Sequence, residues 1–193
     1  MIIITGASGF LGSEILYSFN GIFNDVIGTY NKSEIQVSNV KKYKLDLSNY
    51  SEVKKLILKY EPKIIIHCAA FTDVDYCQKT PDLSYRYNIL PTKHLIKSIN
   101  NRKCKLVYIS TDSVFDGTKG RYVEEDKPSP VNIYASHKFE SEKLIQVKLN
   151  DYVIIRTNFF GNTNNLIWCT NCFSFIAPDR IIIFSYNIIN FSI

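Results

Sequence analysis

The sequence predicts an α/β protein: a Rossmann-like, doubly wound parallel sheet with helices on both faces. Three observations carry this expectation. Short apolar runs alternate with segments of helical period, a glycine-rich turn directly follows the first run, and Ile64-Ile65-Ile66 is apolar without a break. Strands covered on both faces read as continuous apolar runs, and strand–helix alternation implies parallel crossovers.

Ile2 to Thr5 forms the first buried strand, and the glycine turn opens a helix that runs to about Asn20. Leu11, Ile15, Leu16 and Phe19 share one face of that helix. Val26 to Tyr30 is the second strand. After a polar stretch to Lys42, Tyr43-Lys44-Leu45 forms a third strand ending at Asp46. Ser48 or Asn49 caps the next helix, whose Val53, Leu56, Ile57 and Tyr60 follow the i, i+3, i+4, i+7 pattern; Pro62 turns the chain out of it.

Ile64 to Ile66 is the fourth strand. A helix is expected from near Pro81 to Ile99, kinked or interrupted at Pro91. Leu106 to Ile109 is the fifth strand. A long polar loop from about Thr111 to Asn132 then leads to a helix from Tyr134 to about Lys148, and Tyr152 to Arg156 is the sixth strand. These elements make residues 1–165 one dinucleotide-binding unit. Residues 166–193 form an atypical tail with few charges and apolar runs such as Ile181-Ile182-Ile183-Phe184. Two readings of the tail stay open: two strands of a small extra lobe, or a truncated or out-of-frame ending.

Composition narrows the function classes. The 193 residues are 46% hydrophobic and carry a formal charge of +5, scattered without a run of like charges. That argues for a solvated surface and no nucleic-acid partner, with anionic substrates such as nucleotides mildly favoured. The five cysteines (Cys68, Cys77, Cys104, Cys169, Cys172) form no disulfide framework. Cys169 and Cys172 make a Cys-x-x-Cys with no second pair or nearby histidine, so no metal is expected. The N-terminus reads as a strand and not as a signal peptide. No apolar stretch is long enough to span a membrane, and a reducing cytoplasm is the default.

Two constellations carry chemistry. The turn Gly6-Ala7-Ser8-Gly9-Phe10-Leu11-Gly12 joins a strand to a helix, where bare backbone amides and the helix dipole can cradle a pyrophosphate. Its Gly-x-x-Gly-x-x-Gly spacing is one residue longer at the first gap than the commonest dinucleotide fingerprint. At the end of the second strand a carboxylate would hold a ribose 2′-hydroxyl and repel a 2′-phosphate. Here the chain reads Gly28-Thr29-Tyr30-Asn31-Lys32-Ser33, with no acid before Glu34. Asn31, Lys32 and Ser33 therefore favour NADP over NAD.

The second constellation is Tyr134 and Lys138, at i and i+4 on one helix face. A neighbouring ammonium stabilises a phenolate, so Lys138 is expected to lower the Tyr134 pKa from its usual value near 10. Ser110-Thr111-Asp112 ends the fifth strand at the side of the sheet that faces the ligand crevice. The Thr111 hydroxyl can share a substrate oxygen with Tyr134 there.

Together these segments resemble the extended short-chain dehydrogenase/reductases, and within them the dTDP-4-dehydrorhamnose reductase group. The resemblance rests on Thr5 to Gly12, Asp46-Leu47-Ser48, His67 to Asp75, Ser110 to Gly117, Tyr134-Ala135-Ser136-His137-Lys138 and Arg156 to Gly161. It covers the chain to about Asn165, in order and at suitable spacing.

The resemblance implies NADPH-dependent reduction of a nucleotide-linked 4-keto sugar, in deoxysugar or surface-polysaccharide synthesis. Gly9, Phe10 and Leu11 then contact the pyrophosphate, with Gly6 and Gly12 shaping the turn. Asp46 and Leu47 border the adenine; Ala69, Ala70 and Phe71 border the nicotinamide side. Tyr134 protonates the carbonyl oxygen, and Lys138 binds the nicotinamide ribose and tunes the tyrosine. Thr111 and Asp112 hold the sugar. Asn88 matches a structural asparagine on the family's fourth helix. Phe159 stands where the rhamnose enzymes usually carry Trp, which keeps an aromatic wall and changes its shape. A homodimer through the fourth and fifth helices also fits the resemblance. The family continues into a C-terminal substrate lobe, of which residues 166–193 would be a remnant or replacement. Three alternatives remain: a sugar-nucleotide epimerase or dehydratase, a non-catalytic NADP-binding subunit like the regulatory partners of methionine adenosyltransferase, and an inactive fragment.

Overall fold

The computed structural model describes residues 1–157 and 181–184. Seven parallel strands form one sheet in the order β3-β2-β1-β4-β5-β6-β7. They are β1 (Ile2–Thr5), β2 (Val26–Tyr30), β3 (Lys41–Lys44), β4 (Ile64–His67), β5 (Lys105–Thr111), β6 (Tyr152–Thr157) and β7 (Ile181–Phe184). The first six reproduce the doubly wound order, with the direction of strand addition reversing at β1. β7 pairs with β6 from Ile154↔Ile181 to Thr157↔Phe184, so the Ile181–Phe184 run extends the main sheet.

Alternation along each strand feeds two cores. Ile3, Ile65, Leu106 and Ile154 point to one face, where they meet Val53, Leu56 and Ile57 of α2 (Tyr50–Tyr60) and Leu95 and Ile99 of α5 (Leu90–Ile99). Ile145 of α6 (Ile133–Lys148) joins them there. Ile2, Ile4, Ile66 and Ile155 point to the other face, with Leu11, Ile15 and Leu16 of α1 (Phe10–Asn20). The period of two in the strands and of 3.6 in the helices makes these stripes meet.

Local chemistry sets the helix ends. Asn49 caps α2, its side chain accepting from the Ser51 and Glu52 amides at 3.1 and 3.4 Å. Glu61 closes α2 in the left-handed region (φ 41°), and Pro62 follows. The expected helix over 81–99 is two helices, α4 (Pro81–Asn88) and α5, with Pro91 in the first turn of α5. A proline fits a first helical turn because its missing N–H has no partner to lose there. A helix absent from the sequence expectation, α3 (Val74–Lys79), is capped by Asp73, which accepts from the Tyr76 amide at 2.9 Å. β3 begins two residues before the expected Tyr43, and β5 runs on to Thr111.

Candidate functional site

The glycine turn closes against the loop after β4. Gly6 has φ +66°, and a Cβ there would lie 2.6 Å from the Ala69 Cα. A Cβ on Gly12 would lie 2.3 Å from the Gly6 carbonyl oxygen. Both positions therefore require glycine for the turn itself. Gly9 differs: a Cβ there would touch nothing but the Gly6 oxygen, at 3.3 Å. Gly9 caps α1 with no side-chain hydrogen bond, and the first turn of α1 carries no acid. A glycine that internal packing does not demand, at an uncapped and acid-free helix N-terminus, fits close approach by an anionic ligand.

That terminus opens onto a cleft of about 720 Å³ along the carboxyl ends of β1 to β4. Gly6, Ser8 and Gly9 line it, as do Thr29 to Ser33 after β2, Leu45 to Ser48 after β3, and Cys68 to Phe71 after β4. Tyr76, Leu83, Tyr87 and Pro91 contribute from α3, α4 and α5. The cleft lies where the strand order reverses, the place at which open α/β sheets bind ligands.

The wall at 68–71 is pinned at both ends. The Ala69 amide donates to the Thr5 hydroxyl at 3.4 Å, and Thr5 Oγ1 lies 2.7 Å from His67 Nδ1. This chain of bonds is complete when His67 carries its proton on Nε2 and accepts from Thr5 at Nδ1. Burial, with Lys138 nearby, pulls the His67 pKa down to about 3, so the ring is neutral. At the other end the Phe71 amide donates to Asn88 Oδ1 at 2.8 Å, and Asn88 Nδ2 donates to the Phe71 carbonyl at 3.1 Å. Asn88 is buried, and its own backbone carbonyl accepts from Ser141 of α6 at 3.0 Å.

Tyr134 is half-buried in the first turn of α6. Burial, with Cys77 and Asp112 adding, pushes its phenol up to about 12. The sequence reading expected the opposite direction, with Lys138 lowering it. Lys138 acts elsewhere: its ammonium donates to the Ile109 carbonyl at 2.6 Å and sits 4.1 Å from the Tyr108 ring centroid. Burial is the largest influence on Lys138 and pulls it down to about 7, against Glu142 and Cys68, which raise it. Cys68, one of these two groups, belongs to the cleft wall. Thr111 is buried at the end of β5, where its hydroxyl lies 3.3 Å from Asp112 Oδ1 and accepts from the Ser113 amide at 3.2 Å.

The sequence matches the family described as the RmlD substrate binding domain over residues 1–169. The chain belongs to this family. A probable low-salt glycan biosynthesis reductase of Haloferax volcanii is 31% identical over 169 residues, 85% of this chain and 56% of that protein. Methionine adenosyltransferase 2 subunit beta of Xenopus tropicalis is 33% identical over 144 residues, 74% of this chain and 42% of that protein. The solved dTDP-4-dehydrorhamnose reductase of Bacillus anthracis in complex with NADP is 34% identical, with a TM-score of 0.71. It covers 83% of this chain and 55% of its own. The chain thus spans about half the length of the relatives it matches.

Within this family frame, the cleft gathers Gly6, Gly9, Asn31, Lys32, Asp46, Leu47, Ala69, Ala70 and Phe71 of the residues expected to bind a cofactor. Phe10 is exposed beside it, while Leu11 and Gly12 are buried in the first turn of α1. Thr111, Asp112, Tyr134 and Lys138 do not line the cleft; Asp112 helps to raise the Tyr134 phenol, and Cys68 of the cleft wall helps to keep Lys138 charged. Phe159 and the Cys169–Cys172 pair lie outside the described residues. Sequence reasoning missed Tyr76 and Tyr87 as wall residues. The one signal available was their position beside the Asp73 cap and Asn88. Among the described residues no helix is long and apolar enough to cross a membrane.

Proposed function

We propose that residues 1–165 form the dinucleotide-binding domain of an NADPH-dependent reductase acting on a nucleotide-linked 4-keto sugar. Its place would be deoxysugar or surface-polysaccharide synthesis. The cleft at the reversal of strand order carries this reading, because its glycine-lined mouth suits a pyrophosphate. Lys32 is exposed on the cleft rim beside Ser33, with no ion-pair partner among the described residues, which supports NADPH over NADH. The dTDP-4-dehydrorhamnose reductase relative solved with NADP supports it as well.

A bound reduced nicotinamide supplies hydride. Tyr134 donates the proton to the carbonyl oxygen, and its elevated pKa keeps it in the donor form that the reducing direction needs. Thr111 and Asp112 orient the sugar at the end of β5. Lys138, one turn further along the same helix, would hold the nicotinamide ribose. Phe159 would add the aromatic wall of the sugar site.

The test is a titration of the purified chain with NADPH and NADH, followed by nicotinamide fluorescence. NADPH should bind about tenfold more tightly, the worth of one charge-assisted contact. Tyr134→Phe should keep that affinity while turnover of dTDP- or UDP-linked 4-keto sugars drops about 10²–10⁴-fold. Undiminished turnover in Tyr134→Phe would remove the assigned acid, and binding of neither cofactor would remove the reductase reading. NADPH binding without turnover of any sugar would favour a non-catalytic subunit, the reading that the methionine adenosyltransferase relative supports.

A further inference from the structure

A buried ion pair lies directly beneath the Tyr134–Lys138 face. Glu142 and Arg156 are 0% and 2% exposed. Arg156 Nε donates to both Glu142 oxygens at 3.2 Å, and Nη2 donates to Oε2 at 2.7 Å. The Ser110 hydroxyl donates to Glu142 Oε1. Ser110 and Arg156 are register partners across β5 and β6, so one carboxylate on α6 bridges two neighbouring strands. β5 continues from that bridge to Thr111.

A fully buried ion pair is a weak source of stability. Well-packed apolar side chains of the same volume often serve as well or better, while breaking such a pair by halves is costly. What a hydrogen-bonded carboxylate adds is direction. Glu142 is one turn beyond Lys138 and two beyond Tyr134, so its two partners, on neighbouring strands, limit both the rotation and the height of α6. We propose that Glu142 is a positioning residue: held by Ser110 and Arg156, it sets where Lys138 and Tyr134 stand relative to Thr111. The inference rests on the reductase reading for its purpose and on this geometry for its content.

Glu142 has an electrostatic consequence too. The groups around the Lys138 ammonium are the Ile109 carbonyl and Tyr108 ring of β5, His67 of β4, Cys68 of the cleft wall, and Glu142 on its own helix. Of these, Glu142 is the largest influence holding Lys138 in its charged form against burial. Arg156 faces Glu142 and the Phe115 ring.

The test follows the Lys138 side chain directly, by 13Cε-lysine NMR of the full chain across pH, with its resonance assigned by its loss in Lys138→Met. The double variant Glu142→Met/Arg156→Met replaces the pair with apolar groups. It should stay folded, yet the Lys138 midpoint should fall by about one pH unit or more, and the Tyr134 ring resonances should move. Should the double variant not fold, Ser110→Ala removes one of the two partners and leaves the ion pair whole, and the Tyr134 ring resonances should still move. An unchanged Lys138 midpoint and unmoved Tyr134 resonances in a folded variant would overturn the proposal and leave the pair a packing feature. The midpoint needs no cofactor, so a chain that binds neither NADPH nor NADH would sink the reductase reading while this result still stood or fell separately.

Discussion

His67 ends β4 as a fully buried, neutral imidazole, and its value lies in what it holds in place. Through Thr5 it steadies the Ala69 amide, and with it the wall that Gly6 packs against. Its folded-state pKa near 3 lies below the usual 6.5. Between those values the unfolded chain binds more protons than the native one, so stability rises with pH across that window. Acidification through it should cost up to about 1.4 kcal/mol per pH unit from this one group. His67→Asn keeps an acceptor for Thr5 and cannot be protonated there. Urea melts at pH 4 and pH 6.5 should therefore differ less in the variant than in the wild type; an equal difference would place the acid sensitivity elsewhere. The same scale holds the main departure from the sequence expectation. Tyr134 and Lys138 share a helix face, but the lysine turns to the Ile109 carbonyl and the phenol is raised. Spacing along a helix fixes proximity. Which polar group a buried ammonium chooses depends on the strand packed beneath it.

Asn88 shows what an element can do that its sequence does not announce. It ends α4, and its side chain makes both a donor and an acceptor bond to the backbone of Phe71, seventeen residues earlier. Asn88→Ala should therefore leave two polar groups of the cleft wall without partners, at a cost of about 1–3 kcal/mol. NADPH affinity should fall along with stability, since the freed loop is part of the proposed cofactor site. A thermal melt and a fluorescence titration on the same sample check both, and a stability loss with unchanged affinity would separate the latch from the site. The elements themselves were largely legible. Apolar triplets gave the strands, an i, i+3, i+4, i+7 stripe gave α2, and Pro91 marked the break between α4 and α5. α3 was not, because six residues holding a single buried side chain, Cys77, leave no period to read.

On the scale of the whole molecule, one sheet of parallel strands brings four separate loops to one cleft. The residues lining it come from positions 6 to 91 and meet because β1 to β4 lie side by side. A ligand bound there contacts most of the nucleotide-binding half at once and should stabilise the fold as a unit. NADPH at a hundred times its Kd should add about 2.7 kcal/mol, seen as a rise in Tm with the transition staying single. NADPH binding without a rise would place the ligand on the unfolded chain or on a separately melting part. The sequence alone determined the doubly wound class, the succession of the first six strands along the chain and the identity of the glycine turn. Each of these is written in local periodicity and in glycine's tolerance of conformations closed to other residues. Only the tertiary structure decided that Gly9, alone among the three motif glycines, is not demanded by the packing of the turn, that Asn88 and Thr5 pin the cleft wall, and that Glu142 of the Tyr134 helix pairs with Arg156. Those choices depend on partners tens of residues apart, and burial sets both their charge states and their hydrogen bonds; no local pattern records them.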